Sequence, residues 1–241
     1  MNALFNVPHP INEPVLTYAP GTKERAAIEA ELKRQSSVKL KIPLIIGGKA
    51  KHTKTKGYCY MPHNHGHVLA EYSIAGPKEL KDAANAACAA KAAWSAMPWE
   101  HRAAIFLKAA DLLAGPWRSK LNAATMLGQS KTVQQAEIDS ACEMADFFRF
   151  NAHFAQEIYQ NQPQSAPGAW NRMEYRPLSG FVVAISPFNF TAIGGNLPTA
   201  PAMMGNTVIW KPASTAVLSN YLTYQLLQEA GLPDGVINFV P

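Results

Sequence analysis

From residue 181 to residue 240 the chain alternates continuous apolar runs with stretches of helical length, and no other feature narrows its possible folds so far. Phe181, Val182, Val183, Ala184 and Ile185 form an unbroken apolar run between Gly180 and the pair Ser186, Pro187. A strand buried on both faces reads this way. Residues 193–204 have helix length and much Gly and Ala, and residues 207–210 form a second apolar run stopped by Lys211 and Pro212. Residues 215–230 read as an amphipathic helix closed by Gly231, with Pro233 beyond, and residues 236–240 as a third strand. Strand, helix, strand, helix, strand is the opening of a Rossmann-like, doubly wound parallel sheet, here incomplete, so the fold class is α/β. Sheets of this kind bind ligands at the carboxyl ends of their strands. Those ends are Ser186 to Asn189 and Lys211 to Ser214, and both are richer in chemistry than the opposite ends.

Upstream the grammar is different. Residues 1–21 carry four prolines and little periodicity, which predicts an extended arm. A short helix is predicted over 22–35 with Thr22 as its N-cap, then strands at 44–48 and 66–72. Pro77 starts a helix that runs to Met97, a second spans 100–114, a third 117–127, and the longest about 132–161. Residues 162–171, rich in Pro, Gly, Ser and Asn, separate this helical part from the sheet.

Composition excludes several classes. Hydrophobic residues make up 48% and charged residues only 16%, which fits a packed core rather than a disordered chain or a coiled coil. The net charge of +5 has its densest source in Lys49, Lys51, His52, Lys54 and Lys56, and no aromatic residue interleaves them. A solvated turn explains that run better than a nucleic-acid patch. Cys59, Cys88 and Cys142 form no closely spaced pair and read as small packed residues of a reducing compartment. No apolar run reaches the roughly 18 residues of a membrane span, and neither a signal peptide nor a transit segment opens the chain. The expected location is the cytoplasm, or the mitochondrial matrix if a presequence is missing. His63, His65 and His67 alternate like strand ligands, but no carboxylate or cysteine cluster accompanies them, so no metal is expected.

Ile185, Ser186, Pro187, Phe188, Asn189 and Phe190, with Lys211, Pro212, Ala213 and Ser214 at the end of the next strand, resemble the first half of the aldehyde dehydrogenase cofactor site. Residues 200–207 between them and 229–239 after them are also typical of that family. Residues 64–67, 105–111, 128–132, 136–139, 146–151 and 190–196 look like the delta-1-pyrroline-5-carboxylate dehydrogenase branch, whose members oxidise L-glutamate γ-semialdehyde to glutamate with NAD in proline breakdown. The resemblance implies four regions: an arm, short helix and strands over 1–76; the helical part of a cofactor-binding domain over 77–161; a linker or oligomerisation hairpin over 162–179; and the first half of the NAD-binding sheet over 180–241. It also implies a small aldehyde as substrate and a homo-oligomeric parent, with no nucleic acid or membrane as partner.

Under this resemblance Asn189 gives its side-chain amide N–H to the oxygen that gains charge in the covalent adduct. Read bare, it is an Asn making a turn. Lys211 donates to the adenosine-ribose hydroxyls, while Ser186, Pro187 and Phe188 line the nicotinamide-ribose side. Ser214 stands where many NAD-preferring members carry an acid, which leaves room for NADP as well as NAD. Glu143, at 100° per residue, shares a stripe with Ala136, Phe147, Phe150, Phe154 and Ile158, and a carboxylate buried there needs a partner. The resemblance puts it beside the substrate pocket; a helix-edge salt bridge is the plain alternative. Phe190 packs on the substrate's aliphatic part or is ordinary core.

The family's nucleophilic cysteine, deacylating glutamate and glycine-rich phosphate turn match nothing in the 241 residues. The chain therefore reads as an amino-terminal fragment without its catalytic domain, inactive alone and prone to aggregate along its last strand. Another aldehyde dehydrogenase branch, or a non-catalytic binding or assembly protein, is the alternative.

Overall fold

The computed structural model describes residues 5–241, so the first four residues of the predicted arm lie outside the described residues. The rest of the arm is extended and is pinned to the helices by side chains. The Val7 amide donates to Gln156 Oε1 at 2.6 Å, the Glu13 amide to Asp146 at 2.7 Å, and the Leu16 amide to Glu137 at 2.8 Å. Helix α1 (Lys23–Ser36) begins as expected at Thr22, whose hydroxyl accepts from the Arg25 amide.

Strands β1 (Leu40–Ile42), β4 (Lys56–Met61) and β5 (Asn64–Ser73) form a small sheet in the order β1-β5-β4. Strands β2 (Leu44–Ile46) and β3 (Lys49–Lys51) form a hairpin turned by Gly47 and Gly48, both at positive φ. A Cβ on Gly48 would lie 2.0 Å from the Asp234 side chain, so only glycine fits there. The helices follow: α2 (Pro77–Ala96), α3 (Trp99–Ala114) and α4 (Arg118–Gln129).

Residues 133–160 then form one helical run whose middle is not α. A short α5 (Val133–Ala136) passes into a π-helical segment, Glu137–Glu143, before α6 (Met144–Gln160) resumes. The sequence pattern predicts an uninterrupted helix here. The π segment turns Glu137, Asp139 and Ser140 all inward, each to hydrogen-bond partners. Glu137 takes hydrogen bonds from Arg118, the Tyr18 hydroxyl at 2.6 Å and Asn122 at 2.8 Å, while Arg118 also binds Glu13 at 2.5 Å.

The carboxyl-terminal part has the expected alternation: β6 (Val182–Ile185), α7 (Thr191–Met203), β7 (Val208–Lys211), a short 3-10 turn (Ser214–Ala216), α8 (Val217–Ala230) and β8 (Ile237–Phe239). β6 pairs parallel with β7, and β7 with β8. Gly231 closes α8 at φ +105°. The alternating residues of β7 and β8 serve two layers. Ile209 and Val240 pack on Ala83 and Ala87 of α2, whereas Trp210 and Phe239 belong to the main core, with Tyr221 and Tyr224 of α8 stacked near Phe239.

Two expectations about this sheet are corrected. β6 is not buried on both faces: it is the edge of the order β3-β2-β8-β7-β6, and Val183 and Ile185 are 56% and 68% exposed, because nothing described covers their side. β8 is not an open edge either. The hairpin strand β2 pairs antiparallel with it, the Gly47 amide donates to Asn238 Oδ1 at 2.8 Å, and β8 lies buried inside the sheet. Among the described residues β2 thus covers the edge on which the predicted aggregation hazard rested.

Residues 161–181 hold no helix or strand, yet side chains fasten them across a turn. Asn171 bonds Ser165 and Gln164, the Met173 amide donates to Gln162, and the Tyr175 hydroxyl to the Asn161 carbonyl. Trp170 at the tip is 89% exposed.

Burial alone would raise the Glu137 carboxyl, but the hydrogen bonds from Arg118, Tyr18 and the Leu16 amide outweigh it and hold it below the usual carboxylate range. Its contribution to stability is full above the unfolded value, about 4.3, and is lost as pH falls through the lower value of the fold. Arg118→Leu leaves this carboxylate buried without its cation and should cost about 3–5 kcal/mol in urea unfolding at neutral pH. A loss below about 1 kcal/mol, the size of a surface pair, would show that the cluster does not hold the arm.

Candidate active site

Because β6 and β7 run parallel with Ile185 opposite Lys211, their carboxyl ends lie side by side. The Ser186 amide donates to the Lys211 carbonyl at 3.1 Å, which continues the ladder one step past β6. The chain then turns through Pro187, Phe188 and Asn189 into α7. Phe188 and Asn189 are exposed on this edge, and so are the Lys211 and Ser214 side chains. Four of the residues expected to meet a ligand thus stand on one open edge of the sheet.

Ser186 faces the other way. It is buried, and its hydroxyl accepts from the Trp210 indole N–H at 3.0 Å, so it joins the two strand ends internally. Phe190 is neither core nor free. It is partly exposed, with the Lys131 ammonium 4.3 Å from its ring centre.

The stripe predicted around Glu143 is not a core face. The buried side of α6 is Met144, Ala145, Phe148, Ala152 and Ala155, while Phe154 and Ile158 are exposed. The π segment breaks the 100° projection that tied Glu143 to Ala136, and beyond it the stripe runs one residue off the packed face. Glu143 is half-buried at the border and makes no hydrogen bond to any described residue. Burial raises its carboxyl above the usual range, and the nearby Asp139 adds to this while Lys131 opposes it.

Sequence reasoning missed the groups behind the turn. The N-cap position of α7 is Phe190, which has no side-chain acceptor. Asp139 supplies one from the π segment: its two oxygens accept from the Thr191 and Ala192 amides, each at 3.0 Å. Lys131 pairs with Asp139 at 2.6 Å. The Thr191 hydroxyl bonds Thr125 and Gln129 at 2.8 Å and Ser219 at 3.1 Å. A signal existed, since 128–132 and 136–139 carry the branch resemblance, but nothing in the sequence says that both stretches converge on residue 191.

Of the three cysteines, Cys59 and Cys142 are buried and Cys88 is exposed on α2, against the expectation that all three are packed. Burial pushes the Cys59 and Cys142 thiols up to about 12, so both stay protonated at neutral pH and are poor nucleophiles. Among the described residues no helix is long and apolar enough to cross a membrane.

Residues 49–241 match the model of the aldehyde dehydrogenase family. The chain is 54% identical over 241 residues to delta-1-pyrroline-5-carboxylate dehydrogenase of Agaricus bisporus, covering 99% of this chain and 44% of that protein. It is 51% identical over 230 residues to the human mitochondrial delta-1-pyrroline-5-carboxylate dehydrogenase, covering 95% of this chain and 41% of that one. The NAD-bound crystal structure of the Mycobacterium tuberculosis delta-pyrroline-5-carboxylate dehydrogenase superposes with a TM-score of 0.98 at 54% identity, over all of this chain and 45% of that chain. The chain therefore spans less than half the length of the relatives it matches.

A carboxyl raised in the fold favours the protonated form, so its ionisation at neutral pH costs stability. Glu143→Gln removes that cost and should raise the melting temperature at pH 7. The gain should vanish as pH falls below about 4.3, where the carboxyl is protonated in both states. Equal melting temperatures at pH 7 would show that the Glu143 carboxylate is adequately solvated.

Proposed function

The chain belongs to the aldehyde dehydrogenase family, and from that premise we propose that it supplies the oxyanion donor and the ribose-binding part of an enzyme that oxidises L-glutamate γ-semialdehyde to glutamate with NAD. The supporting observation is the shared open edge of β6 and β7. It presents the Asn189 amide and the Lys211 cation, neither paired with a side chain among the described residues, on adjoining strand ends.

The oxidation takes a hydride from the aldehyde carbon and adds an oxygen from water to give the carboxylate. The bound nicotinamide supplies the hydride acceptor. Asn189 donates its N–H to the aldehyde oxygen as negative charge develops there, an interaction that strengthens as that charge builds. Lys211 and Ser214 would hold ribose hydroxyls. The absence of an acid at 214 keeps NADP within reach of the same groups. Phe190, with its open ring edge, and Glu143, at the border of the open aromatic face of α6, are the substrate-side residues of this reading. The segment around Trp170 presents an exposed aromatic tip on a braced turn and is the surface that a second subunit would cover in a homo-oligomer. Three unpaired cysteines suit a reducing compartment, cytoplasm or mitochondrial matrix.

The test is a chimera in which these 241 residues replace the matching segment of the Agaricus bisporus relative. It should reduce NAD with the semialdehyde and prefer it to long aliphatic or aromatic aldehydes; the reverse preference would overturn the branch assignment. Asn189→Ala in the chimera should cut turnover by about 10²–10³ with little change in NAD affinity, measured where hydride transfer limits the rate. Lys211→Ala should weaken NAD binding by about 10- to 100-fold, as expected for loss of a charged donor. The 241-residue chain assayed alone should form no NADH, since the Cys59 and Cys142 thiols are buried and protonated at neutral pH, and the exposed Cys88 stands on α2 between the Ala86 and Ala90 that pack on Gly235, not at the carboxyl ends of β6 and β7.

A further inference from the structure

We propose that Asp139, with Lys131 neutralising it, is the positioning residue that fixes the Asn189 donor; this rests on the reading of Asn189 given above. Asn189 makes no hydrogen bond to any described residue, so its side chain is free for a ligand and its place must come from its neighbours. Those neighbours are held at three successive residues. Lys131 lies over the ring of Phe190, and Asp139 takes the amides of Thr191 and Ala192. The Thr191 hydroxyl is fastened to Thr125, Gln129 and Ser219.

The charges explain why two groups are needed. A carboxylate at a helix N-terminus is favourable, and Asp139, only 2% exposed, meets the first free amides of α7 with both oxygens. Left bare, that carboxylate would also repel the negative charge that is to develop on the oxygen held by Asn189, the residue before Phe190. The Lys131 ammonium at 2.6 Å cancels it and, from the same position, holds the Phe190 ring. Capping serves the fold, whereas a neutralised cap whose counter-ion grips the residue next to the donor serves the donor.

The experiment is ¹H–¹⁵N spectroscopy of the 241-residue chain with assigned Asn189 side-chain amide and Thr191 and Ala192 backbone amides. Asp139→Asn should speed exchange of the two backbone amides by about 10- to 100-fold, and should shift or broaden the Asn189 side-chain pair. Lys131→Met keeps the cap but should disturb the Asn189 pair as well, and Lys131→Arg should restore it. Should Asp139→Asn fail to fold, the two Lys131 variants still decide the matter. An unchanged Asn189 pair in Lys131→Met, or a lowered melting temperature with the pair unmoved, would reduce Asp139 to a helix cap and overturn the proposal. The measurement needs no turnover. Undiminished activity of Asn189→Ala in the chimera would instead overturn the functional reading, so the two failures are distinguishable.

Discussion

Glu137 has no contact with water, and an ionised carboxylate in that position is tolerable only if every lone pair is used. Arg118, Tyr18, Asn122 and the Leu16 amide use them. These partners come from the extended arm and from α4, while Glu137 itself stands on the helical run that follows. A single buried charge therefore ties the arm to two helices. It also bears on the backbone: Glu137 and Asp139 lie two residues apart, yet both turn inward to different partners, and the helix widens into its π form over this stretch.

The same segment reaches the sheet. Asp139 closes the start of α7, and the start of α7 is where the chain leaves the β6 edge. Gly194 and Gly195 let α7 settle against its neighbours, since a Cβ on either would come within 3 Å of Asn220 or Met144. Helix, turn and strand end are thus one packed unit whose polar face is the open edge. The loops are irregular, but the elements behind them are not.

Much of this was legible from residue order. The alternation after residue 180 predicts the parallel strands and their helices, because buried strands are short and continuously apolar while their helices end at Gly and Pro. The N-cap at Thr22 and the stop at Gly231 are local chemistry and read directly. What was not legible depends on distance along the chain. Whether β6 has a neighbour on its outer side, and that β2 covers β8, are facts of pairing between segments far apart. The π segment is hidden for the same reason, since its cause is the inward demand of two acids whose partners lie elsewhere. For the site, residue types at strand ends pointed to Asn189 and Lys211, whereas the inward turn of Ser186 depends on Trp210 standing beside it. The stripe drawn through Glu143 does not hold because a fixed angular step was carried across a helix that does not keep it.

The pairing of β2 with β8 has a consequence in time. Ile45 meets Phe239 across 194 residues, and a strand made early has no partner on that side until β8 is made. At synthesis rates of about 5–20 residues per second that interval is roughly 10–40 s, far longer than helix formation needs. The hairpin β2–β3, the arm and the helices can assemble meanwhile, but the large sheet closes only when its two sequence-distant halves find each other. Contacts of such long range slow folding, so closure of this sheet is the step to expect as rate-limiting. The hairpin turn at Gly47 is then a waiting receptor for Asn238.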